Sequence, residues 1–128
     1  MKSIAKIAFV VMLGVLLGCG EKEKPLYDQV MDIHDEVMPK MEDLHRAKKL
    51  LKDSVAKTPE MPIERKTEIE QTILLLDSAQ DSMMEWMRGF VPPEPTDKEA
   101  YEKYMEAELV KVRKMRETVL SALQKIKK

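Results

Sequence analysis

Two proline-bearing interruptions, Thr58-Pro59-Glu60-Met61-Pro62 and Val91-Pro92-Pro93-Glu94-Pro95, cut this chain into three long runs and decide what it can become. Proline lacks a backbone N–H and its ring clashes with the preceding turn, so a helix does not pass through either segment. In each run apolar residues recur at about 100° per residue, the helical period. The last run places Tyr101, Met105, Val112, Met115, Val119, Leu123 and Ile126 on one face. The middle run gives Ile69, Ile73, Leu76, Met83, Met87 and Phe90, and the first gives Val30, Val37, Leu44, Leu51 and Val55. No run alternates with period two, and no Asn-Gly or Gly-Gly pair offers a hairpin turn, so strands are not expected. The expected fold class is all-α, an antiparallel three-helix bundle in up-down-up order.

The first helix is expected from about Leu26 to Ala56. Pro39 lies inside it, where it removes the bond to the Asp35 carbonyl and either bends the helix or breaks it in two. The second begins near Pro62, a favourable first-turn residue, and continues to about Arg88, with Gly89 suited to closing it. Thr96 with Glu99 forms a capping box for the third helix, which runs almost to Lys128. Its early acids and late bases suit the helix dipole.

Ahead of the helices the chain opens with Lys2 and Lys6, an apolar run from Ile7 to Leu17, and Gly18-Cys19. Positive tip, apolar stretch and small residue are the parts of a secretory signal. The apolar run is shorter than the roughly 20 residues a membrane-crossing helix needs. Leu16-Leu17-Gly18-Cys19 matches the lipobox of bacterial lipoproteins, in which a small residue precedes the cysteine that receives diacylglycerol and a third acyl chain. Cys19 is the only cysteine, so the chain forms no internal disulfide, and lipidation gives the thiol a use. Several acyl chains anchor stably where one would not. The chain therefore divides into residues 1–18, a signal; 19–25, the lipidated cysteine and a charged tether; and 26–128, the bundle. A charged patch after the cysteine, with no Asp next to it, goes with outer-membrane placement in similar lipoproteins.

Removing residues 1–18 leaves 110 of the 128, enough for one domain with a modest core. Lys2 and Lys6 leave with the signal, which takes the net charge from −1 to −3. That balance gives no electrostatic case for nucleic acid. Three Tyr, two Phe and one Trp make the core aliphatic and methionine-rich.

One constellation carries possible chemistry. His34, Met38, Met41 and His45 are spaced four, three and four on the first helix, so they form a stripe beside the aliphatic one. Met83, Met84, Trp86 and Met87 crowd the end of the second. Folding about Pro59 sets His34 opposite Met84, and folding about Glu94 sets Met84 opposite Tyr104 and Gln80 opposite Glu108. One end of the bundle then gathers His34, Met38, Met83, Met84, Met87, Tyr104, Met105 and Glu108. Thioether and imidazole are ligands that soft Cu(I) prefers, and a tryptophan face can cover such a cation. His34, Met38 and Met84 make the sharpest version of that set, with Met41, His45 and Met87 as further donors. The plainer account makes the methionines adaptable core filler, with the histidines at the border and no cofactor. Glu108 falls on the apolar face of the last helix, where a carboxylate needs a partner such as Gln80, His34 or solvent at the bundle end.

Glu42 and His45 have the Glu-x-x-His spacing of di-iron bundles, but the second run offers Glu70, Asp77 and Asp81 without a histidine. No Gly-x-Ser-x-Gly, glycine-rich phosphate loop or mature thiol supports nucleophilic catalysis, so an enzyme is not expected.

The strings HDEVMPKM (34–41) and SMMEWMRGF (82–90), followed by the Tyr- and Lys-rich last helix, resemble a family of small lipoproteins of Gram-negative bacteria labelled viral A-type inclusion protein. The resemblance covers nearly the whole mature chain. It implies an exported, lipid-anchored helical domain and brings no activity, substrate or ligand with it. The reading of the whole sequence is a non-enzymatic, membrane-tethered helical module that meets an envelope protein, with Leu74, Leu75 and Leu120 as an exposed apolar strip. Its alternative is a Cu(I)-binding module.

Overall fold

The computed structural model describes residues 23–127. The expected signal (1–18), Cys19 and the expected tether as far as residue 22 lie outside them, as does Lys128. The described residues are all-helical, with four helical segments and no strand: α1 (Leu26–Val37), α2 (Lys40–Lys57), α3 (Ile63–Gly89) and α4 (Lys98–Ile126). None of these helices is long and apolar enough to cross a membrane.

Pro39 splits the expected first helix into α1 and α2. Its nitrogen has no hydrogen for the Asp35 carbonyl, and the chain re-forms its ladder through Met38 N to His34 O (2.9 Å) and Met41 N to Met38 O (3.1 Å). Met38 and Pro39 keep right-handed helical angles, φ −51°, ψ −47° and φ −61°, ψ −26°, so the rod bends without reversing. The bend redirects the packing: α1 lies chiefly on α4, whereas α2 lies chiefly on α3 and touches α4 little.

Three helix ends differ from expectation. Pro62 is extended (φ −53°, ψ 141°) and precedes α3, which starts at Ile63; the Pro62 carbonyl accepts from Lys66 N at 3.0 Å. Gly89 closes no left-handed cap, since no described glycine has positive φ; it is the last helical residue, and the extended Phe90 and Pro92-Pro93 end the helix. Asp97, not Thr96, caps α4, its Oδ1 accepting from Ala100 N at 3.1 Å. Asp97 N bonds Glu94 O at 3.1 Å, which places Pro95 and Thr96 inside the turn and makes Asp97 the first residue able to cap.

The apolar stripes meet in one core. Val30, Val37 and Leu44 recur every seventh residue and are fully buried, as are Leu76, Ala79, Met83, Val112, Val119 and Ala122. Met83, Met105 and Met115 are core filler, as the scarcity of aromatics required. On α3 the buried positions are Ile69, Leu76, Ala79, Met83 and Trp86; Met87, expected on that face, is exposed. The spacing 76, 79, 83, 86 alternates three and four, so residue 86 and not 87 continues the inward line.

Candidate functional site

Trp86 ends the inward line of α3 and collects an aromatic cluster. Its ring centroid lies 5.1 Å from Phe90 and 5.8 Å from His34, and Phe90 lies 6.4 Å from Tyr27 and 6.1 Å from Tyr104. These are separations at which tilted rings attract beyond their buried area. Tyr104 also fastens the connection between α3 and α4: its hydroxyl donates to Gly89 O (3.3 Å) and accepts from Val91 N (2.6 Å).

Beneath this cluster sits Glu108, 1% exposed and the one buried charged residue among those described. The Trp86 indole N–H donates to its Oε2 at 2.9 Å, and Lys111 Nζ donates to its Oε1 at 2.6 Å. Both oxygens are satisfied, which is the condition for burying a carboxylate. The partners expected from sequence are engaged elsewhere. Gln80 accepts from Lys48 Nζ (2.7 Å), which also pairs with Asp77 (2.6 Å), and His34 Nδ1 stands 2.9 Å from Asp35 Oδ1. The hydrogen bond to Glu108, with the carboxylate charge behind it, raises the Lys111 pKa above its usual 10.5.

A groove of about 390 Å³ between α3 and α4 opens beside this pair, with Ser82, Glu85, Trp86 and Gly89 on one wall and Glu108, Lys111, Lys114, Met115 and Thr118 on the other.

The methionine and histidine donors named from sequence do not gather around one point. His34 is partly buried against Trp86, but Met84, about 160° round α3 from Trp86 at 100° per residue, faces away and is exposed. Met38 and Met87 are exposed at the surface, and Met41 is half-buried against the core. His45 is exposed and, eleven residues from His34, lies about 16 Å along the rod beyond the bend. Among the described residues no group of three or more His, Cys, Asp or Glu is placed to hold a metal ion.

Sequence reasoning named Trp86 and Glu108 but did not join them. The signal that joins them is chemical: the indole N–H is the one side-chain donor on the inward line of α3. A second feature was anticipated only at Leu120. Where α2 leaves α4, two grooves of about 530 and 360 Å³ open over Ala47, Leu50 and Ile126, the smaller one also over Leu51. Leu120 and Leu123 floor the larger one, and Lys40, Arg46, Lys127 and Asp43 rim it. Leu50, on the lip of both, is 64% exposed.

No family model, curated protein or solved structure matches this chain.

Proposed function

We propose that the chain is the precursor of an envelope lipoprotein of the kind its resemblance suggests, in which residues 1–18 are removed and acylated Cys19 holds residues 26–128 beside the outer membrane as a non-enzymatic interaction module. In this reading α1 with α2, α3 and α4 are three rods in up-down-up order. The pairs Lys48 with Asp77, Trp86 with Glu108 and Glu36 with Arg116 support that order. The observation that carries the function is the open side between α2 and α4, an apolar floor with the exposed Leu50 at its lip. A bundle that leaves such a face uncovered has a place for another element. Its rim has more basic than acidic groups, so the partner is an amphipathic helix with acidic flanks, laid in by its apolar face.

Two measurements on the full-length protein test this. A photo-crosslinking side chain at Leu50 is expected to capture one envelope protein, and Leu50→Asp is expected to abolish pull-down of that protein; capture of no discrete species sinks the interaction reading. Cys19→Ser is expected to move the protein from the membrane pellet to the soluble fraction. Retention in the pellet sinks the anchor.

A further inference from the structure

The two oxygens of Glu108 are held in unlike ways. Oε2 is fixed by the Trp86 indole, a nearly buried ring on the neighbouring helix. Oε1 is held only by Lys111, whose side chain is 62% exposed and reaches in from the rim of the 390 Å³ groove. An ammonium on a flexible four-carbon stem, mostly in water, is a weak tenant, because ordering the stem offsets most of what the ion pair contributes. The carboxylate itself is committed, since it cannot turn outward without abandoning the indole.

We propose that Glu108, at the foot of this groove, is a binding site for a primary ammonium group on an apolar stem, and that Lys111 occupies it in the free protein and yields it to the ligand. The incoming ammonium donates to Oε1 while Trp86 keeps Oε2. Its stem lies against Trp86 and Met115, and the freed Lys111 returns to solvent. The geometry also sets selectivity. A guanidinium reads a carboxylate best through two parallel bonds, and here one oxygen is already taken. A quaternary ammonium has no N–H to give. The site stands apart from the partner face between α2 and α4.

Trp86 is the only tryptophan, so its fluorescence reports on the site directly. Titration of the intact protein in detergent at pH 7 with n-butylammonium is expected to give a saturable change. In Lys111→Met saturation should come at about fivefold lower concentration, the factor that an exposed ion pair represents. Butylguanidinium and tetramethylammonium are expected to give none, and Glu108→Gln should abolish the response while circular dichroism shows it folded. Should that variant not fold, Lys111→Met and the three probes still decide. An equal answer to Nα-acetyl-lysine amide identifies the source as a lysine of a partner, and a response to the free amine alone identifies a small molecule. No saturable response in Lys111→Met, or one shared by all three cations, overturns the proposal.

Discussion

The two ends of the molecule are built differently. At the Trp86 end, α1 buries Val30 and Val37 within 12 residues, and five rings, an indole-to-carboxylate bond and a doubly bonded tyrosine hydroxyl lock three helices together. At the other end α2 buries Leu44 alone within 18 residues, and its strongest polar tie is one lysine shared by Asp77 and Gln80. The division falls at Pro39. One missing backbone N–H lets the rod turn from α4 toward α3, so the same chain makes a tightly tied half and a sparsely tied one. The buried polar ties and the exposed Leu50 thereby fall at different ends.

The sharpest test of this contrast is Trp86→Ala. It removes a large core side chain and strips Glu108 of its fixed donor, so about 4 kcal/mol of stability should be lost, roughly 15 °C or more in Tm. Leu50→Ala at the open end should stay within about 0.5 kcal/mol, and equal losses for the two would break the comparison. A second effect is confined to alkaline solution. Lys111 has a raised pKa, so its contribution is whole below 10.5 and fades as pH climbs through the higher folded-state value. Thermal melts above pH 10.5 should therefore show the wild type losing stability relative to Lys111→Met. At the junction of the halves, Arg116 Nε pairs with Glu36 at 2.9 Å, both side chains being about 40% exposed. Arg116→Ala should cost about 0.5 kcal/mol in chemical denaturation, and more would mean that the bend is held electrostatically. The smallest expectation is none. Cu(I) under reducing conditions should leave Tm unchanged, because Met84 faces away from His34 while Met38 and Met87 stand exposed at the surface. A saturable rise abolished by His34→Ala would show that thioether donors do converge on this imidazole.

Much of this fold was legible. Val30, Val37 and Leu44 announced the inward line of α1 and α2 by period alone, and Pro39 announced the bend. What escaped was where the chain turns. Folding about Glu94 assumed that the reversal sits in the middle of the proline-rich segment. Instead residues 91–94 form no regular element and the hydrogen-bonded turn spans Glu94 to Asp97. The facing residues slide by more than a helical turn, and Trp86 meets Glu108 where Gln80 was expected. The methionine cluster failed for a related reason. Sharing a helix face is local, but convergence between helices depends on that slide and on which of two neighbouring residues, Trp86 or Met87, points inward.

The bend at Pro39 also has a mechanical meaning. A body held at its N-terminal side and gripped through the face between α2 and α4 carries tension along α1 and α2, in series. The rung missing at Asp35 is the weakest point on that line, whereas α3 and α4, joined side by side, lie off it. Load would lengthen the molecule first at residues 37–40, by straightening, before any ring at the Trp86 end is disturbed.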